Sequence, residues 1–414
     1  MLFRSKTRTS GCGVSLSLLA GFAISLPGVA AAQSFQAVPM WTGATYSAGA
    51  AVSADGSTVV GEMGQPGWGH AFAWSSRTGV IDLGILPGAT TSAATAVSAN
   101  GTTVVGSSGN RAFRWSGGVM QDLGILPGAA TSTAYGVSAD GRVVVGWSGT
   151  GPIGHAFVWV LGLGMLDMGV PSTATYSIAD AVSADGSTIA GFSNIAGEGP
   201  RATRWVGGAL QDLGPIPGGA YTQAFAVSAN GVWVAGEGTT PVGSQMFIWS
   251  SATGVQSLGA LPTATSAGAR GISADGKMVV GYSDSDWGLH ATIWTAASGL
   301  QDLRQHLSDL GVDMSQWSLV GASGVSADGR TIVGTGIDGN GQRAWTAHLA
   351  LLPCYANCDL STAPPLLNAG DFLCFLNAFA VQQPWANCDS STAPPVLNIA
   401  DFICFQQRYV IGCP

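Results

Sequence analysis

The sequence predicts an all-β chain: a seven-bladed β-propeller closed by its N-terminal strand, with a small disulfide-rich α/loop module at the C-terminus. Three observations predict it. A VSADG-type string followed by an apolar run returns seven times down the chain. Only 9% of the residues are charged, while 61 are glycine. Six of the seven cysteines lie within residues 354–414. Few charges with many Ala, Val, Ser and Gly suit strands buried on both faces.

The repeat comes first. Its turn residue recurs at Asp55, Asn100, Asp140, Asp185, Asn230, Asp275 and Asp328, each followed by glycine, and most steps are 45 residues. Asp-Gly or Asn-Gly between apolar runs signals a hairpin, and it predicts a type I′ turn whose two central residues both take positive φ. Two more strand-like pieces follow each hairpin. AFAW at 71–74 is echoed as far as ATIW at 291–294, and IDLG at 81–84 as far as QDLR at 301–304. Four short strands in a repeat of this length form the pattern of a propeller blade. A β-solenoid is the alternative, but its repeats are usually shorter and need no donated strand.

Closure is predicted from a mismatch. There are seven hairpins but six strands of the DLG type, and the last repeat runs into the cysteines without one. A spare piece, FQAVPMWTGAT, precedes the first hairpin and places Val38 where Leu83 stands in the next repeat. The leading segment therefore completes the last blade, which protects edges that otherwise pair with other chains. The small side chains of YSAGAAVS suit strands crowded at the axis, and the bulk of AFAW suits outer ones. The seventh repeat has RAWTAH in place of the Phe-x-Trp pair, so its third strand is the weakest-marked.

GHAFAW at 69–74 and GHAFVW at 154–159, with VSADG and VVG before them and DLG after, resemble the HAF family of secreted bacterial repeats. The resemblance spans about residues 35–350. It implies an exported, propeller-like domain and no defined chemistry.

Residues 1–32 read as a signal peptide: Arg4, Lys6 and Arg8, an apolar run over 13–29, then Ala30-Ala31-Ala32. The predicted domains are then the signal at 1–32, the propeller at 33–352 and the module at 353–414. No later stretch is apolar enough to span a bilayer. The whole chain carries a formal charge of −8, and losing the three leading cations makes it more acidic. Scattered charge on an acidic chain leaves no footprint for nucleic acid.

Few residues of the repeats point to chemistry. His70, His155 and His290 share one place in three repeats and read as strand-edge residues on separate blades. The turn Asp alternates with Asn, which keeps the turn and drops the charge, so it reads as backbone geometry. The AFxW tryptophans read as core. No Ser-His-Asp order, nucleotide-binding loop or HExxH string is read in the chain. Symmetry breaks at SDSDWGLH, 283–290, and at RQHLSDLGVDMSQW, 304–317. Asp284, Asp286, Trp287 and His306 there are the candidate ligand rim, against a plainer reading as a solvated loop and a short helix.

The tail is a duplication. ANCDLSTAPPLLNAGDFLCF at 356–375 returns as ANCDSSTAPPVLNIADFICF at 386–405. Each copy has the rhythm of a calcium loop, with oxygen-bearing side chains ahead of a helix. The ligand sets are Asn357, Asp359, Ser361, Asn368 and Asp371, and Asn387, Asp389, Ser391, Asn398 and Asp401. Helix capping by Asn368, with Asp371 favoured by the helix dipole, accounts for half of each motif without metal.

This tail resembles a cysteine-rich dockerin ending in Gly-Cys. The resemblance implies calcium and a cohesin-like or cell-envelope partner. The loop is longer than the usual calcium loop, TAPP replaces the turn glycine, and Asn replaces Asp at the first ligand. Fewer negative ligands weaken calcium binding. The favoured disulfides are Cys358–Cys374, Cys388–Cys404 and Cys354–Cys413, one of several connectivities that six cysteines allow.

The expected protein is secreted or held at the cell surface. It is a propeller that serves as a binding or structural scaffold, with a protein or glycan as candidate ligand, and is not an enzyme. The alternative is a propeller polysaccharide lyase or glycosidase delivered by the same module. Acids or histidines gathered at the central opening favour the enzyme; a small, neutral opening favours the scaffold.

Overall fold

The computed structural model describes residues 33–349, apart from 152, 172, 173, 196 and 287, together with 369–380, 402, 403 and 405. The expected signal peptide lies outside the described residues. So do Trp287, Cys354, Cys358, Cys388, Cys404 and Cys413, and every proposed calcium ligand except Asp371.

Each repeat folds as a four-stranded antiparallel unit. In the first unit the strands are Tyr46–Val52, Val59–Gln65, Trp68–Ser75 and Gly79–Asp82, paired in that order. Units three and four merge into one sheet through a single parallel bridge between Gly154 and Tyr176. The first strands are Tyr46–Val52, Ser92–Val97, Thr131–Val137, Ala174–Val182, Thr222–Val227, Ala267–Ile272 and Ser318–Val325. Each touches the next, and the last touches the first. These strands are therefore innermost.

Backbone hydrogen bonds trace six of the seven joints of that circuit. The N–H of Ala54 donates to the carbonyl of Ala99, Ala99 to Ala139, Ala139 to Ala184, and Ala184 to Ala229, at 3.0–3.2 Å. Ala274 donates to Ala327, and Ala327 donates to Ala54, both at 3.0 Å. A hydroxyl also threads most joints. Ser92 Oγ accepts from Ala71 N–H at 2.9 Å and donates to the Gly84 carbonyl at 2.6 Å, tying the first unit to the second.

The leading strand, Ser34–Ala37, pairs antiparallel with Gly341–His348 of the last unit. Val38 N–H then donates to the Ala344 carbonyl at 2.8 Å, as Leu83 N–H donates to that of Ala71 at 2.9 Å. The weakest-marked strand forms because the leading segment compensates for it. Trp345 sits fully buried against Gly334, where Phe72 faces Gly61 in the first unit. Ala347 takes the tryptophan's place. Phe35, paired opposite Ala347, packs its ring 5.7 Å from Trp345 and 4.9 Å from Trp317.

The core lies between units rather than within them. Val60, Ala71, Leu83 and Leu86 of the first unit pack with Ala94, Val104 and Phe113 of the second. Val38, Val59 and Phe72 pack with Val333 and Ala344 of the seventh. Each sheet thus buries both faces, which accounts for the low charge content.

The hairpin turn differs from the expected type I′. Among the described residues the only non-glycine with positive φ is Thr263, so Asp55 is not left-handed. Ser53 N–H donates to the Thr58 carbonyl at 2.9 Å, and Gly56 N–H to that of Ser53 at 2.9 Å. The connection is a longer loop built on one turn, and only Gly56, at φ 74°, needs glycine's freedom. Asp55 instead braces it. Ser53 Oγ donates to Asp55 Oδ1 at 2.5 Å and accepts from Thr58 N–H at 2.9 Å. Asn100 takes the same bond from Ser98 at 2.9 Å, so an uncharged carbonyl oxygen serves as well.

In the tail, a helix spans Ala369–Ala380. Phe375 and Phe405 are buried and stack at 4.0 Å, and Phe372 lies 6.0 Å from Phe402. These are equivalent residues of the two copies, so the duplicated segments meet as like against like. Cys374 is disulfide-bonded.

Candidate functional site: the ring of bulged residues at the axis

Every first strand carries a β-bulge two residues before the valine or isoleucine of its hairpin motif. The register skips Ala50, Thr95, Tyr135, Asp180, Phe225, Arg270 and Ser323. A bulge inserts one unpaired residue and re-aims its side chain. The second-strand glycine belongs to this device. A Cβ at Gly61 would collide with the Ala48 carbonyl, and one at Gly191 with that of Ile178. The bulge pushes a first-strand carbonyl into that space.

The seven bulged residues are all half-buried on the innermost strands. Their identities are all different, and no other position of the first strand varies so far. Alignment of the repeats at this position was the signal that reasoning from motifs alone overlooked. The distribution is lopsided. Ala50, Thr95 and Ser323, small residues, lie on three successive units; Tyr135, Asp180, Phe225 and Arg270 lie on the other four. Ser323 Oγ donates to the Gly49 carbonyl at 2.5 Å and Thr95 Oγ1 to that of Ala134 at 2.8 Å, so the small side lends its hydroxyls to its neighbours' backbones.

The large side holds charge. The Arg270 guanidinium lies 4.0 Å over the Phe225 ring and 5.0 Å over that of Tyr282. Arg270 Nη2 is 3.3 Å from Glu237 Oε2, which also accepts from Tyr282 Oη at 3.0 Å. Arg270 Nη1 is buried with no hydrogen-bond partner, and so is Asp180 Oδ2. Asp180 is half-buried as a residue, but that oxygen is closed to solvent, and the carboxyl's environment decides its chemistry. Burial pushes the Asp180 carboxyl up to about 8, with the Arg270 charge pulling the other way. Burial, then the Asp180 charge, raises the Tyr135 hydroxyl. Asp180 and Arg270 thus both lie on innermost strands, each with one buried polar atom unpartnered, and Arg270 pairs with Glu237 rather than with Asp180.

The expected rim lies elsewhere, on the sixth unit. Asp284 is a brace. It accepts from Thr265 N–H and Thr265 Oγ1 at 2.7 Å each and from Ser266 N–H at 2.8 Å, which holds its carboxyl below the usual range. Asp286 is exposed in the turn. His306 lies on a helix, Leu303–Asp309, where burial lowers its pKa. Among the described residues no group of three His, Cys, Asp or Glu is placed to hold a metal ion.

The three equivalent histidines each bond an aspartate on the neighbouring strand. His70 Nδ1 lies 2.9 Å from Asp82, His155 Nδ1 2.9 Å from Asp167 and His290 Nδ1 2.6 Å from Asp302. Each is a diagonal cross-strand pair that fastens the third strand to the fourth. Of the AFxW tryptophans, Trp74, Trp159, Trp205 and Trp249 are buried in the core, and Trp115 and Trp294 are half-buried.

No protein-family model matches the chain, and no curated protein does. Solved structures do. An oligogalacturonate lyase in complex with manganese is 13% identical, covers 78% of this chain and 97% of its own length, and superposes with a TM-score of 0.50. An oligogalacturonate lyase from Vibrio parahaemolyticus is 11% identical, with 77% and 97% coverage and a TM-score of 0.50. TolB from Acinetobacter baumannii is 14% identical at a TM-score of 0.42; the match covers 59% of this chain and 62% of that one. At these identities the likeness speaks to fold alone. The chain is an all-β protein of the β-propeller class.

Proposed function

We propose that this protein is a seven-bladed propeller, closed by its leading strand, that serves as an exported binding scaffold. One observation carries the reading. Seven frames repeat the same hairpin, serine, glycine and core residues, yet each presents a different side chain at the axial bulge. A fixed frame with one diversified inward position is the economy of a recognition surface. In this reading Asp180 and Arg270 are the polar contacts that fix a ligand's orientation, and Tyr135 and Phe225 flank it.

The duplicated tail is the tether. Its paired phenylalanines and bonded Cys374 support a compact stapled module, and its loop sequences supply oxygen ligands for calcium. By its resemblance it docks to a cohesin-like or envelope partner.

Screening the full chain against glycan and peptide arrays tests the scaffold. Saturable binding is expected, and Arg270→Ala with an unchanged melting temperature should abolish it. Binding that survives Arg270→Ala, or its absence from every surface, counts against the axial reading.

A second reading has its own support. Asp180 is an acid on an innermost strand, and Glu237 on a second strand pairs with the axial Arg270; acids near the central opening favour a polysaccharide lyase or glycosidase over an inert scaffold. Release of reducing or unsaturated ends from polyuronides, lost in Asp180→Asn, distinguishes it.

A further inference from the structure

The three histidine–aspartate pairs are equivalent, but only the third is extended. Ser285 Oγ lies 2.9 Å from His290 Nε2, and His290 Nδ1 lies 2.6 Å from Asp302 Oδ2. Serine, histidine and aspartate follow one another in the chain and meet in one hydrogen-bonded line, an order the sequence reading overlooked. We infer that Ser285 is a nucleophile activated by His290, and that the rim of the sixth unit takes a short-chain carboxylic ester.

The other two units act as internal controls. The place of Ser285 in the sheet is held by Gln65 in the first unit and Thr150 in the third. The Gln65 amide reaches instead to the Gly43 carbonyl at 2.7 Å, and the Thr150 hydroxyl to that of Gly128 at 3.4 Å. His70 Nε2 is buried without a partner beneath the Trp68 ring, 4.7 Å between centroids. Structural fastening therefore needs the histidine and aspartate alone. Ser285 Oγ also lies 3.4 Å from the Gly288 carbonyl, as Thr240 Oγ1 bonds that of Gly243 at 2.8 Å in the fifth unit, so a hydroxyl here braces the hairpin; its contact with His290 Nε2 is the addition that bracing does not explain.

The orientation suits proton transfer. A carboxylate only accepts, so the imidazole proton is assigned to Nδ1, and the Nε2 lone pair faces the serine hydroxyl. Asp302 is doubly held. Its Oδ1 accepts from Gln305 N–H at 3.1 Å as the N-cap of the helix Leu303–Asp309, leaving Oδ2 for His290. The helix belongs to the insertion unique to this unit, so the fixed carboxylate and the serine occur together. Asp302 is a positioning residue; Ser285 and His290 are the reacting pair.

The substrate class follows from the surroundings. Beside the serine, Gly288 is exposed and Leu289 is 46% exposed. Such an open, partly apolar surface suits a small acyl group carried on a larger molecule. Ser285 Oγ attacks the ester carbonyl carbon as its proton passes to His290 Nε2. The carbon–alkoxy bond breaks, and the alcohol leaves with that proton, giving acyl-Ser285. Water then attacks, His290 takes its proton and returns it to Ser285 Oγ, and the carboxylic acid departs.

The test is covalent labelling of the full chain with a fluorophosphonate, read by intact mass and peptide mapping, beside hydrolysis of p-nitrophenyl acetate. One adduct at Ser285 is expected, with none at Thr150. Ser285→Ala should abolish both labelling and hydrolysis, and His290→Gln should slow them by about a hundredfold or more. Melting temperatures show that the variants are folded. A wild-type chain that takes no adduct, or labelling that His290→Gln leaves unchanged, overturns the inference. Neither result touches the axial reading, which the Arg270→Ala binding assay decides separately.

Discussion

The backbone N–H of Ala327 donates to the carbonyl of Ala54 at 3.0 Å, joining the last hairpin to the first. One further bond crosses this joint, and another ties the leading strand into the last unit. Ala344 N–H donates to Ser47 Oγ at 2.9 Å, and Val38 N–H to the Ala344 carbonyl at 2.8 Å. The two ends of the repeat array are thus held by the same kinds of bond as most neighbouring units.

Deleting residues 33–42 should therefore loosen the whole molecule. Val38, fully buried, leaves the core at a cost of about 1.5–3 kcal/mol, and half-buried Phe35 leaves with it. The edge of Gly341–His348 also loses its partner. Thermal unfolding should shift to lower temperature, and the truncated chain should self-associate through the bared edge. A truncated protein that melts like the full one contradicts closure by this strand.

Asp180 should make the fold less stable as pH rises. Its folded-state pKa is about 8, above the unfolded value near 3.8. Below pH 4 the carboxyl is neutral in both states and costs nothing. Between pH 4 and 8 the unfolded chain ionises while the fold keeps the proton, so stability falls across that window and levels off above it. Asp180→Asn should raise the melting temperature at pH 7 and flatten its dependence from pH 5 to 8. Unfolding scans across that range decide the matter.

The hairpin aspartates act in the opposite direction. The Ser183 hydroxyl, followed by the Ser187 N–H and hydroxyl, holds the Asp185 carboxyl down at about 2. That stabilisation is present above the unfolded pKa near 3.8 and disappears as pH falls toward 2. The units with Asn100 and Asn230 lack it. Hydrogen exchange at pH 3 should show Thr188 N–H opening faster relative to Thr103 than it does at pH 6.

Ser183→Ala probes the same motif at neutral pH. It removes the donor to Asp185 and leaves the buried Thr188 N–H, now bonded to Ser183 Oγ at 3.0 Å, without an acceptor. An unsatisfied buried group costs about 1–3 kcal/mol. Denaturant unfolding should report a loss of that order, and an unchanged midpoint means the serine is dispensable.

Calcium should raise the melting temperature of the tail's transition in the full chain, and Asp371→Ala should reduce the gain. Titration calorimetry that finds no calcium binding refutes the ligand assignment.

The sequence by itself determined the repeat, its hairpins and the spare leading strand, because these are local strings and their count. Asn in place of Asp at the turn already marked the position as backbone geometry rather than acid–base chemistry. Val38 could be aligned with Leu83 because a fourth strand needs the same apolar residue wherever it is encoded.

Only the tertiary structure decided what meets what. The type I′ expectation failed because Ser53 and Asp55 build a longer loop from side-chain bonds that the Asp-Gly pair does not reveal. Asp180 and Arg270 come from different repeats and read alone as ordinary strand residues. The ring brings both to one axis, where bulges aim them inward and burial raises the acid. Ser285, His290 and Asp302 lie on three strands, and the register that sets each opposite its neighbour is fixed by pairing across the whole sheet.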